Sequence, residues 1–143
     1  MRGAGLALIL ATLSACADPK PTTGSSTGDA CRVARVLDGD TVVLSCPGEA
    51  PERARLTGYD TPEVFSPGCR AERALGETAT ERLRALVRDG ETFTITRRGY
   101  DRYDRRLAKV AIDGRDVGDI LVSEGLALRY SGGRRIDWCR KLS

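Results

Sequence analysis

From residue 32 onward, short runs of alternating apolar and polar positions are separated by turn residues. Residues 32–37 and 41–46 are rich in aliphatic and β-branched side chains and flank Asp38-Gly39-Asp40. This is a hairpin signal in which glycine is free to take positive φ. Residues 53–59 read as a third strand. Over 70–88 the period changes: Ala71, Leu75, Ala79, Leu83 and Leu86 form a stripe at helical spacing, ended by Asp89-Gly90. Residues 91–96 and 107–112 return to a strand pattern, joined by the polar loop RRGYDRYDR. Beyond the Asp113-Gly114 turn, Val117, Ile120 and Leu121 mark a short helix ending at Gly125, and 126–130 is compatible with a final short strand beyond the five already read. The predicted fold is α+β and mainly β: a five-stranded Greek-key barrel of the OB type with one longer and one short helix.

The first thirty residues have a different character. An arginine at position 2 precedes an apolar run over 6–13 that is too short for a permanent membrane-spanning helix. The run leads into Leu13-Ser14-Ala15-Cys16, which resembles the lipobox of bacterial lipoproteins. That resemblance implies lipidation of Cys16 as the new N-terminus; ordinary cleavage after Ala15-Cys16-Ala17 is the alternative. Residues 1–16 are thus expected to be a lipoprotein signal peptide. Residues 17–30, ADPKPTTGSSTGDA, read as a flexible tether reaching on the order of 20 Å. Residues 31–143 form the folded domain. The expected location is exported, membrane-anchored, and facing the periplasm or the cell exterior.

Cysteine parity agrees with export. Five cysteines less Cys16 leave four, suited to two disulfides in an oxidising compartment. Cys31 and Cys46 lie at the open ends of the first hairpin, which suits a cross-strand bridge, Cys31–Cys46. Cys69–Cys139 would then pin the tail beside Trp138. The pairings Cys31–Cys69 with Cys46–Cys139, and Cys31–Cys139 with Cys46–Cys69, remain open at this point.

The 143 residues suffice for one compact domain and are too few for two real cores. A net charge of +3 is too mild to imply a nucleic-acid partner by itself. The chain has no histidine, which excludes histidine metal sites and histidine bases. Proton transfer must fall to a carboxylate, tyrosine, lysine or water. Candidate chemistry concentrates in Asp40 of DGDT, in Asp60, Thr61 and Glu63 of DTPE, and in Arg55 and Arg105. The first three offer hard oxygens of the kind calcium prefers. Glu63 offers a carboxylate base, and the arginines offer bidentate charge for a phosphate.

VLDGDTVVL, RLTGYDTPE, DRYDRRLAKV and ILVSEGLAL, in this order and spacing, resemble the staphylococcal nuclease (thermonuclease) family over roughly residues 31–130. The resemblance implies an OB barrel with packed helices and calcium-dependent hydrolysis of DNA and RNA. It also implies calcium ligation by Asp40, Asp60 and the Thr61 backbone carbonyl, with Glu63 as base and Arg55 and Arg105 on the phosphate. Tyr103 matches a position near the bound nucleotide, and Tyr130 is a candidate for stacking on a base. The chain departs from the pattern at Asp104, usually glycine, whose carboxylate is a potential partner for Arg105 or a repellent for substrate. Arg97, Arg98, Arg102, Arg106, Arg129, Arg134, Arg135, Arg140 and Lys141 could line a phosphate path, although for most of them a solvated surface charge is the plainer reading. The expected protein is a monomeric, sugar-nonspecific nuclease preferring single-stranded DNA and RNA, held at a membrane by its N-terminal lipid. The alternative is a catalytically silent OB-type module that binds nucleic acid or protein. The enzymatic reading requires the Asp40 and Asp60 carboxylates to face one pocket.

Overall fold

A computed structural model of the protein describes residues 31–143. The expected signal peptide, the expected lipidation at Cys16 and the expected tether all fall outside the described residues. Strands β1 (Arg32–Asp38) and β2 (Thr41–Ser45) form the expected hairpin, and β3 (Glu52–Leu56) extends it antiparallel. Strand β4 (Gly58–Asp60) leads to the DTPE loop and helix α1 (Arg70–Asp89). Strands β5 (Phe93–Tyr100), β6 (Arg106–Ile112) and β7 (Arg115–Asp116) precede helix α2 (Val117–Ser123). Strand β8 (Leu128–Tyr130) and a one-turn helix α3 (Trp138–Lys141) end the chain.

The main sheet runs β1-β2-β3-β6-β5, with β7 on β6, while β4 and β8 form a separate antiparallel pair. All pairings in the main sheet are antiparallel except β3 with β6. The mixed, mainly β α+β class is the one expected of an OB-type fold, and the main path holds five strands; among the described residues β7 and the β4–β8 pair add three short ones. No β1–β5 pairing closes the barrel among the described residues. Val42, Leu44, Ala54, Leu56, Ala108 and Val110 fill the sheet's inner face, and Leu83 of α1 and Leu121 of α2 close over it. Burial of such aliphatic side chains, roughly 1.5–3 kcal/mol each, is the main driving force.

Four sequence expectations change in three dimensions. The predicted strand over 53–59 splits at Thr57, because Gly58 at φ +97° turns the chain into a second sheet. Gly39 is not among the positive-φ residues; a Cβ there would lie 2.8 Å from the Thr61 side chain and 3.0 Å from Ala79. Glycine at the hairpin tip therefore permits close approach, not a turn conformation. The buried face of α1 is rotated: Glu72, Gly76, Ala79, Thr80 and Leu83 face inward, while Ala71 is exposed. Finally, β5 runs to Tyr100 through residues read as loop. There Arg97 pairs with Glu49 and Glu52, and the Tyr100 hydroxyl donates to Glu52, satisfying polar groups across strands. The disulfides are Cys31–Cys46 and Cys69–Cys139.

Candidate active site

Two segments apart in sequence are stitched together by hydrogen bonds, one between backbone groups and two between a side chain and the backbone. The Leu56 amide donates to the Asp40 carbonyl at 2.8 Å, and the buried Tyr59 hydroxyl donates to the Gly39 carbonyl at 3.0 Å. The Thr61 amide donates to Asp40 Oδ2 at 3.2 Å. These bonds hold the DGDT turn against the DTPE loop, so Asp40 and Asp60 face the same space at 5% and 1% exposure. Buried polar groups of this kind are stable only when their partners are all present.

The Arg55 guanidinium spans both carboxylates. Its Nη1 lies 2.8 Å from Asp40 Oδ2 and its Nη2 lies 3.1 Å from Asp60 Oδ1. It also donates to the carbonyls of Leu56 at 2.9 Å and Tyr59 at 3.3 Å. Arg105, which lines the same cavity, is held by Asp101, whose Oδ2 lies 2.8 Å from Nε and 2.7 Å from Nη2. The Asp101 Oδ1 accepts from the amides of Tyr103 and Arg105, so a single side chain shapes the turn and aims the arginine. Asp104 does not take the Arg105 partnership foreseen for it; it occupies the turn at φ 58°, a conformation in which glycine is at ease. Tyr103 is 65% exposed, with the Arg105 guanidinium 5.5 Å from its ring centroid. The Tyr130 hydroxyl donates to the Gly133 carbonyl at 2.7 Å. All eight predicted site residues, Asp40, Arg55, Asp60, Thr61, Glu63, Tyr103, Arg105 and Tyr130, line one cavity of about 1200 Å³.

Glu63 is seated by Glu72, which sequence reasoning passed over, and by Arg135, which it placed only among candidates for a phosphate path. Its amide donates to Glu72 Oε1 at 3.2 Å, and Glu72 Oε2 accepts from the Gly68 amide at 2.7 Å, so a buried acid on α1 fixes the whole loop. The Glu63 carboxylate accepts from the amides of Val64 and Phe65 and pairs with Arg135 Nη1 at 3.0 Å. Burial raises its pKa, but Arg135 and the Phe65 and Val64 amides outweigh burial and hold the carboxyl below its ordinary value. Glu63 is thus ionised at neutral pH and able to accept a proton. Arg135 also approaches Asp60 Oδ1 at 3.6 Å, bringing a third guanidinium to the site from the C-terminal segment. The other arginines considered for a phosphate path are variously engaged: Arg106 pairs with Glu52 at 2.9 Å and Arg129 with Asp119. Arg135 had no signal beyond its place in a basic run. Glu72 was masked by the assumption that a helix's buried stripe is apolar.

Asp38, Asp40 and Asp60 crowd one wall of the cavity. Burial raises the Asp60 pKa, and the charge of Asp40 adds to the rise against the opposing Trp138, Arg135 and Arg55. Burial and then Asp40 push Asp38 up to about 6. Two acids held above their ordinary range, Asp38 and Asp60, beside the buried carboxylate of Asp40 fit a hard divalent cation, and the donor set is all oxygen. In cation-free protein the sign follows from linkage. The folded pKa of Asp38 lies above its ordinary 3.8, so its contribution is most favourable at low pH and is lost as pH rises through about 6. Asp38→Asn should accordingly stabilise the chelated protein at pH 7 by about 1–2 kcal/mol after solvent screening, and hardly at all near pH 4. Urea melts at the two pH values, in chelator, measure this.

Residues 53–137 match the family described as staphylococcal nuclease homologue. The chain belongs to that family. A protein of Haemophilus influenzae named an uncharacterized endonuclease is 32% identical over 125 residues, covering 87% of this chain and 61% of that protein. The thermonuclease of Staphylococcus intermedius is 34% identical over 101 residues, covering 70% of this chain and 59% of its own length. The prophage-derived endonuclease YokF of Bacillus subtilis is 36% identical over 95 residues, covering 65% and 31%. The chain therefore spans less than two thirds of the length of these relatives. Within the matched family segment lie Arg55, Asp60, Thr61, Glu63 and Arg105, while Asp40 precedes it.

Proposed function

We propose that the protein is a calcium-dependent, sugar-nonspecific nuclease that hydrolyses phosphodiester bonds of DNA and RNA, single strands most readily. The observation that carries this reading is the convergence of Asp40 and Asp60, 20 positions apart in sequence, on one guanidinium within a cavity that also holds Glu63 and Arg105. The endonuclease and thermonuclease names of its relatives support it. On this reading Asp40, Asp60 and the Thr61 carbonyl would hold calcium, which when bound supplies positive charge against a phosphoryl oxygen.

The chain's own groups carry the remaining steps. Arg55 and Arg105 grip the non-bridging oxygens, and charge that grows in the transition state strengthens that grip beyond what the ground state feels. Glu63 orients a water for in-line attack and accepts its proton. Asp101 keeps Arg105 held at the cavity, and exposed Tyr103 offers a face for a base. The same proposal extends to location: export, with a lipid on Cys16 and a short tether holding a monomeric domain near a membrane surface.

The test is release of acid-soluble nucleotides from single-stranded DNA and RNA by the purified chain. Release should appear with calcium, vanish with chelator, and return when calcium is restored. Binding of either nucleic acid that survives chelation, with no release above background, would instead identify a silent OB-type module.

A further inference from the structure

The C-terminal segment meets the site at a second point, deeper than Arg135. After β8 the chain passes Gly132 and Gly133, both at positive φ, and enters α3, where Cys139 is bridged to Cys69 at the start of α1. Trp138, the chain's single tryptophan, opens that helix and is only 4% exposed. Although buried, it stands apart from the main apolar cluster around the sheet. Its indole Nε1–H donates to Asp60 Oδ2 at 2.8 Å, while Asp60 Oδ1 accepts from Arg55 at 3.1 Å.

A buried indole needs an acceptor, and any backbone carbonyl would serve. Here the acceptor is one oxygen of the most deeply buried carboxylate in the cavity. The indole is rigid and donates in one direction, so it fixes the rotation of the carboxyl group about its last bond. The position of the indole is fixed in turn from the Cys69 side. Cys139 Sγ lies 3.5 Å from Glu72 Oε2, and the other oxygen of Glu72 accepts from the Glu63 amide. One bridge thereby ties the tail to the element that seats the DTPE loop.

We propose that Trp138 is a positioning residue for the cation-binding carboxylate of Asp60: by occupying Oδ2 it keeps Oδ1 turned toward the Asp40 side of the cavity, and the Cys69–Cys139 bridge keeps it there. The inference rests on the nuclease reading, since it gives Trp138 a role toward the cation assigned to Asp60 in that reading. Arg55 and Arg135 both meet Asp60 at Oδ1, which leaves the carboxyl free to turn about that oxygen; the indole on Oδ2 is the second point that stops it. Without the indole, cation binding would have to fix that rotation itself. Partners that orient a metal-binding group in this way usually contribute ten- to hundredfold in affinity.

The experiment is calorimetric titration of the purified chain with calcium alone, comparing wild type, Trp138→Phe, and the double variant Cys69→Ser/Cys139→Ser. Calcium affinity should fall at least tenfold in both variants while far-ultraviolet circular dichroism stays that of the wild type. Should Trp138→Phe fail to fold, replacing Trp138 by 3-benzothienylalanine keeps the ring volume, removes only the N–H, and should give the same loss. A variant that melts at lower temperature yet binds calcium as tightly as wild type would show that Trp138 only fills space, and would overturn the inference alone. A wild-type chain that takes up no calcium would sink the cation assignment itself, and this inference with it.

Discussion

Replacing Glu63 with glutamine should lower kcat for nucleotide release by two to four orders of magnitude, with little change in melting temperature. Glutamine retains an acceptor oxygen for the Val64 and Phe65 amides, so the loop keeps its seat. The lost pair is the one to Arg135, whose side chain is 55% exposed, so water replaces the carboxylate there at little cost. What disappears is the ionised carboxylate itself, held below its ordinary pKa mainly by Arg135 and two backbone amides against the opposing effect of burial. Steady-state release from single-stranded DNA at saturating calcium, alongside a thermal melt, measures both quantities. Undiminished turnover would remove Glu63 from the reaction.

Arg55→Ala should show the largest stability effect of any single substitution at the site, about 3–5 kcal/mol in the absence of divalent cations. Arg55 is 13% exposed and is the shared counter-ion of two carboxylates that are themselves more deeply buried. Its removal leaves those charges facing each other and deprives the Leu56 and Tyr59 carbonyls of a donor. Calcium would supply replacement charge, so it should raise the melting temperature of Arg55→Ala more than that of wild type. Lysine should not rescue the variant, because one ammonium group cannot reach both acids and both carbonyls at once. Urea denaturation in chelator and in calcium tests this; equal stability of Arg55→Ala and wild type in chelator would show that the two acids do not depend on the guanidinium. Even with calcium present, loss of Arg55 should lower turnover more than substrate binding, because its grip strengthens as charge grows on the phosphoryl group.

Much of this site was legible in the chain before any coordinates. The DGDT and DTPE runs, the arginines flanking them and the hairpin around Gly39 are local patterns, and local patterns survive folding because turn chemistry and period-two alternation act over a few residues. Other features depended on partners distant in sequence. The split at Gly58 reflects a choice between two sheets, and the rotation of α1 reflects Glu72 finding the Glu63 and Gly68 amides. The extension of β5 depends on Glu49 and Glu52 meeting Arg97. No periodicity encodes such meetings.

The amino-acid order alone determined which side chains are available for chemistry: oxygen donors, a carboxylate base, guanidinium groups, and no imidazole. It also determined the α+β class, since hydrophobic period and turn residues are written one after another. Tertiary structure alone decided that Asp40 and Asp60 share Arg55, that Asp101 rather than Asp104 restrains Arg105, and that Arg135 and Trp138 come back from the tail to touch Glu63 and Asp60. The reason is electrostatic as well as topological. Where a buried charge settles depends on which opposite charges and donors the fold brings within about 3–4 Å, and those come from segments that sequence distance keeps apart.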